Sequence, residues 1–263
     1  MRKVLGVIGG MGPEATSFFY EELIAHTKAD SDQEHIDTVI LGHASMPDRT
    51  KAILTGEEEA VLAAMEADVR ILEAAGAANI AIPCNTAHFF YEPVQAMTKI
   101  PVIHMVRETV REAAAVCRKN LSGRTFSSES RSPGNTSFGN SSSGDPSFER
   151  VKIGVMATDG TVKAGVYARE CEEAGCELLI PSLQGQRAVM SLIYEEIKAG
   201  KIPDPGKFES AYRELKEKGA MCVILACTEL SVYRKYHPVP EDCLDALEIL
   251  VRESVIRSGG TYV

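Results

Sequence analysis

Along the chain, short apolar runs alternate with longer stretches of helical periodicity, the pattern of parallel strands covered by helices. Val4–Ile8 reads as a first strand, and Pro13 with Glu14 opens a helix expected to reach Ala29. Thr38–Leu41 is a second strand. Glu57–Ala75 is an amphipathic helix with Val61, Leu62, Met65, Val69 and Leu72 near helical spacing, stopped by Gly76. The stretch Asn79–His88, NIAIPCNTAH, predicts a buried strand that ends at Cys84, since Pro83 has no N–H for the ladder. A helix from Ala87 to Met97, a strand over Pro101–Met105 and a helix over Val106–Lys119 come next.

The alternation resumes with a strand at Val151–Met156, a loop at Ala157–Lys163 and a strand at Glu177–Ile180. Helices at Gln186–Ala199 and Pro205–Lys218 lead to the strand Cys222–Ala226, which ends at Cys227. A last helix, Leu244–Arg257, is expected to pack back on the first half. Gly6 of GVIG matches Gly154 of GVMA at an offset of 148, and Cys84 matches Cys227 at 143. Nearly equal offsets imply two related units, each with a cysteine at the carboxyl end of a corresponding strand. The expected fold is α/β: two pseudo-symmetric lobes, each a mostly parallel sheet flanked by helices, with the active site in the cleft between them. Residues 1–104, completed by 235–263, would form the first lobe and 105–234 the second. Within the second, 120–150 is crowded with serine, glycine, asparagine and proline, and is expected to be a mobile insertion.

Composition narrows the function. With 44% hydrophobic and 25% charged residues the chain reads as a soluble globular protein, and no apolar run is long enough for a membrane span. A net charge of -9 argues against a general nucleic-acid binder. The glycine-broken start, MRKVLGVIGGMG, does not resemble a secretory signal, so a cytoplasmic location is expected. Seven cysteines without a CxxC pair or a compact Cys/His cluster disfavour a disulfide framework and a zinc site.

Four places carry candidate chemistry. The Gly9–Pro13 turn lacks GxGxxG spacing, and reads either as a tight strand-to-helix turn or as a backbone cradle for a carboxylate. Arg49 follows a strand end, where open α/β sheets contact ligands, and reads as a ligand contact or as a surface arginine tied to Asp48. His88 could tune a thiol or serve packing. Cys84 and Cys227, each followed by short polar residues at an expected helix start, would face one another across the cleft. One thiolate could then take a proton from a carbon while the other thiol returns one to the opposite face, which is racemisation.

GGMGPEAT at Gly9–Thr16, MPDRT at Met46–Thr50, PCNTAH at Pro83–His88 and ACTEL at Ala226–Leu230 resemble the cofactor-independent aspartate/glutamate racemases, most closely the aspartate racemase branch. The resemblance spans nearly the whole chain outside 120–150. It implies Cys84 and Cys227 as the acid/base thiols, with Asn85, Thr86 and Thr228 holding the substrate's α-carboxylate or amino group. It also implies that Arg49 and Lys163 bind carboxylates. Met11 is a further candidate at the substrate, His88 a candidate auxiliary group, and Glu229 reads either as a group that orients or deprotonates a thiol or as a helix-start carboxylate serving only the dipole. In the glutamate branch the second cysteine is followed by Thr-His; here Thr-Glu stands in that place, which favours aspartate. No pyridoxal phosphate and no metal is expected, the partner is a small dicarboxylic amino acid, and a homodimer is implied. Alternatives are a glutamate or broad-specificity racemase, a maleate isomerase, or a non-catalytic dicarboxylate-binding protein.

Overall fold

The structure is a computed structural model that describes residues 3–125 and 150–263. Two fully parallel sheets form its centre. The first has the order β2-β1-β3, from β1 (Leu5–Gly9), β2 (Thr38–Gly42) and β3 (Asn79–Ala81). The second has the order β5-β4-β6-β7, from β4 (Lys152–Ala157), β5 (Glu177–Leu179), β6 (Cys222–Ala226) and β7 (Cys243–Asp245).

Helices cover both sheets. α1 (Pro13–Ala25), α2 (Arg49–Thr55), α3 (Glu59–Ala74), α4 (Tyr91–Ala96) and α5 (Met105–Thr125) belong to the first part of the chain. The second part carries α6 (Asp159–Ala164), α7 (Val166–Glu173), α8 (Leu183–Ser191), α9 (Pro205–Glu217), α10 (Thr228–Tyr233) and α11 (Ala246–Arg257). α11 packs on α1 and α5 and touches both β3 and β6. One apolar core therefore runs from Leu5, Val7 and Ala81 of the first sheet into Val155, Ile224 and Leu225 of the second, and a smaller cluster lies on the other face of the first sheet.

The internal repeat is written into the strand pairing. Gly6 pairs with Ile80 and Gly154 with Val223, and each cysteine stands four residues beyond that partner. A Cβ on Gly6 would lie 2.9 Å from Leu72 and 3.0 Å from Ala77, and one on Gly154 would lie 3.1 Å from Ala220 and 3.2 Å from Leu215. These are equivalent neighbours at the same offset of 143. Each central strand thus admits its covering helix through a bare backbone position, and the same spacing carries the chain to the thiol.

Several boundaries differ from expectation. α1 stops at Ala25 because Thr27 enters an antiparallel bridge with Tyr262. The strand expected at 101–105 is reduced to one bridge, Ile80 with Val102, since the Val102 N–H is taken by Gln95 Oε1 at 2.8 Å and α5 begins at Met105. α5 continues past the expected end at Lys119, and most of the expected insertion, 126–149, lies outside the described residues. The expected loop 157–163 contains α6, capped by Thr158, whose hydroxyl accepts from the Thr161 N–H. The helix expected at 186–199 starts earlier, at Leu183, and widens to a π-helix over Leu192–Ile197. A short strand, β7, replaces the first turn of the expected last helix, which begins two residues later at Ala246.

Candidate active site

Both cysteines lie at the carboxyl ends of their sheets and line one small chamber. Cys84 is 7% and Cys227 6% exposed, so each sulfur is nearly withdrawn from solvent. The chamber also takes in Met11, Arg49, Asn85, Thr86, Thr228 and Glu229 from the expected set, and Asp48, Thr50, Thr158, Tyr194 and Lys198 besides. It measures about 20 Å³, room for roughly one water. Met11, Asp48, Arg49, Lys198 and Glu229 form a shared wall with an outer cavity of about 320 Å³. The sulfurs therefore sit behind a wall of side chains that separates them from the outer cavity.

The polar groups around Cys84 are held by the other half of the chain. The Tyr167 hydroxyl donates to Asn85 Oδ1 at 2.6 Å, which leaves the buried Asn85 Nδ2 as a donor without a protein partner. Thr86 Oγ1 lies 3.2 Å from Thr158 Oγ1 and 2.8 Å from Thr161 Oγ1, a knot of hydroxyls between β3's loop and α6. Arg49 does not pair with Asp48, whose carboxylate instead caps α2 by accepting from the Lys51 N–H. Its Nη1 donates to the carbonyls of Met46 and Pro47 at 3.1 and 2.8 Å, while its buried Nε has no protein partner. Two unsatisfied buried donors lining one chamber suit an anionic guest, since leaving them unmade is costly.

Cys227 has different company. Its thiol donates to Glu229 Oε2 at 2.8 Å, and Glu229 Oε1 faces the Lys198 ammonium at 3.3 Å. Burial, then the Glu229 carboxylate, push the Cys227 thiol well above its usual range, against the pull of Lys198. Burial works against the charge on Lys198, but Glu229, Cys227, Tyr194 and Cys84 outweigh it and raise its pKa. That ammonium lies 4.9 Å from the centre of the Tyr194 ring. A cation is thus electrostatically coupled to both sulfurs at once.

Three expectations need correction. Lys163 stands exposed in the last turn of α6 and lines neither cavity: the buried face of that short helix is set by Thr161, and residue 163 turns away from it. His88 does not face a thiol. Its Nε2 accepts from the Met105 N–H at 3.1 Å, so Nδ1 carries the proton and donates to the Cys84 carbonyl at 2.9 Å. Burial lowers the pKa of this ring and keeps it neutral, a brace for the backbone of Cys84. Finally, the helical segments after the cysteines are short: a five-residue 3-10 turn, Thr86–Phe90, after Cys84, and the six-residue α10 after Cys227. Side-chain donors and charges, rather than the field of a long helix, set the thiols' surroundings.

The sequence profile of the Asp/Glu/Hydantoin racemases matches residues 8–126 and 148–253. The chain belongs to this family. It is 24% identical over 270 residues to the broad specificity amino-acid racemase RacX of Bacillus subtilis (strain 168), covering 96% of each protein. The fold is similar to that of Picrophilus torridus aspartate racemase, with a TM-score of 0.72, 24% identity and coverage of 99% of this chain and 96% of that one. It is also similar to a glutamate racemase from Francisella tularensis subsp. tularensis SCHU S4 solved with D-glutamate, with a TM-score of 0.61, 17% identity and coverage of 95% and 79%. Membership makes this an enzyme of the racemase class.

Lys198 and Tyr194 are among the chamber-lining residues of this racemase that sequence reasoning missed, with Asp48, Thr50 and Thr158. The spacing of four between Tyr194 and Lys198 marks a shared helix face, but a basic residue near a helix end carries no sign of a cleft. Only the π-helical turn, in which the Lys198 N–H reaches back to the Ile193 carbonyl, shows where that face points.

Proposed function

We propose that the protein racemises an acidic amino acid, aspartate first, by a two-base mechanism on Cys84 and Cys227 without pyridoxal phosphate. The observation that carries this reading is one chamber lined by both thiols together with the unpartnered donors Arg49 Nε and Asn85 Nδ2. With the substrate's Cα between the sulfurs, one thiolate takes the proton and the opposite thiol returns one. The negative charge that develops is met by Asn85 and the Thr86 and Thr228 hydroxyls, in a site where exclusion of water strengthens each contact. Two carboxylates call for two cations, and Arg49 and Lys198 are the pair that line the chamber. Exchanging which sulfur carries the proton reverses the direction.

Thr-Glu in place of Thr-His after the second cysteine ranks aspartate over glutamate. A broader substrate range is the second reading, supported by the similarity to RacX along 96% of the chain. Substrate reaches the sulfurs when the wall of Met11, Arg49 and Lys198 gives way. A cytoplasmic homodimer completes the proposal.

The test is chiral analysis of L-aspartate and L-glutamate incubated with the protein in heavy water, with no cofactor added. Formation of the D-enantiomer with deuterium at Cα, lost in Cys84→Ser and in Cys227→Ser, supports the reading. Undiminished racemisation in either variant rules out the two-thiol mechanism.

A further inference from the structure

A second pair of sulfurs lies away from the chamber. Cys117 on α5 and Cys222, the first residue of β6, are both buried, with their sulfurs 3.2 Å apart. Closing to a bonded length near 2.0 Å requires a movement of about 1.2 Å. Cys117, itself 1% exposed, also lines a cavity of about 280 Å³ with Asn120, Leu121, Lys216 and Met221, a space large enough for a small molecule. Lys216 is held there by Asp242 at 2.5 Å and by the Met221 carbonyl at 3.2 Å. The mechanism proposed above uses none of these residues.

We propose that Cys117 and Cys222 form a redox-modification site that closes to a disulfide on reaction with a small-molecule disulfide entering this cavity. The Cys117 thiolate attacks one sulfur of the reagent, whose S–S bond breaks and releases one thiolate. Cys222 gives up its proton and attacks the Cys117 sulfur of the mixed disulfide, releasing the second thiolate. Two protein thiols are oxidised, and one external disulfide is reduced to two thiols. Supporting the order of attack, Cys117 lines the cavity and Cys222 does not, and the Lys216 ammonium favours the Cys117 thiolate against burial. The bond would tie α5 to the start of the strand that ends at Cys227, closing a loop from 117 to 222 and restricting the unfolded chain.

The test treats the native full chain with bis(2-hydroxyethyl) disulfide, alkylates remaining thiols and maps peptides without reduction. A peptide pair joining Cys117 to Cys222, reversed by dithiothreitol, is expected. The melting temperature should rise on the order of 5–10 °C. That rise should vanish in Cys222→Ala and in Cys117→Ala, two separate variants in case one folds poorly. Recovery of Cys117 and Cys222 unlinked, a link from either to another cysteine, or a link formed only in denaturant overturns the proposal.

Discussion

The Glu229 carboxylate sits 2.8 Å from the Cys227 sulfur, while at the matching place two residues beyond Cys84 stands Thr86, a neutral hydroxyl bound to Thr158 and Thr161. The repeat that aligns the two thiols therefore does not extend to what surrounds them. One has a carboxylate against it and a lysine beyond that carboxylate. The other is flanked by amide and hydroxyl donors.

Charge changes around Cys227 should move its ionisation in opposite directions. Burial and Glu229 raise its pKa and Lys198 lowers it, so Glu229→Gln shifts the titration to lower pH and Lys198→Met shifts it to higher pH. Ultraviolet thiolate absorbance, read as the difference between each protein and the same protein carrying Cys227→Ser, isolates this sulfur. Equal shifts of one sign in both variants would contradict the charge arrangement described.

Arg49 and Asn85 present buried donors to the chamber, so truncating either should weaken substrate binding. Arg49→Ala and Asn85→Ala are each expected to raise KM for aspartate by about tenfold to a hundredfold, the worth of a hydrogen bond to a charged group. Steady-state kinetics reads this directly. An unchanged KM in both would place the carboxylates elsewhere.

The halves meet closely where α6 approaches α2. A Cβ on Gly160 would stand 2.5 Å from Thr50 Oγ1 and 2.8 Å from Thr50 Cβ and Cγ2. Gly160→Ala should therefore cost about 1–3 kcal/mol of stability through overpacking. Adding Thr50→Ala, which removes Oγ1 and Cγ2, should recover part of the loss in urea denaturation. A neutral Gly160→Ala would mean the two helices separate without penalty.

Two buried histidines predict sensitivity to acid. Burial lowers the pKa of His88, and burial, then His88 and Arg107, push His104 from its usual 6.5 down to about 3. The folded chain keeps both rings neutral in a range where the unfolded chain binds protons, so stability is present above pH 6.5 and is lost as pH falls toward 3. Thermal melts across this range should show a fall that is shallower in His104→Asn.

Much of the framework was legible from local pattern. β1, β2, β4 and β6 are continuous apolar runs bounded by turn residues, and α3 carries its periodicity openly. The repeat of glycine and cysteine showed which strand ends to compare, because strand pairing transmits a sequence offset without distortion. Lys163 and Lys198 were not separable in this way. Each is a basic residue late in a helix, and only tertiary placement shows that Lys198 faces the sulfurs and Lys163 faces solvent. The 101–105 strand misled for a related reason: its apolar residues are buried as expected, but the Gln95 side chain takes the N–H a ladder needs. The pair Cys117–Cys222 has no local signature, since its residues are distant in sequence and meet only through packing of α5 on β6.

The dissimilar settings of Cys84 and Cys227 bear on what such a catalyst can achieve. Mirror-image amino acids have identical free energies in water, so the final mixture holds equal amounts of each hand whatever the catalyst's own asymmetry. Glu229 and Lys198 therefore cannot tilt the endpoint. In the proposed racemase their effect is confined to how each direction divides a common efficiency between turnover and half-saturation, so a lopsided protein still delivers an even product.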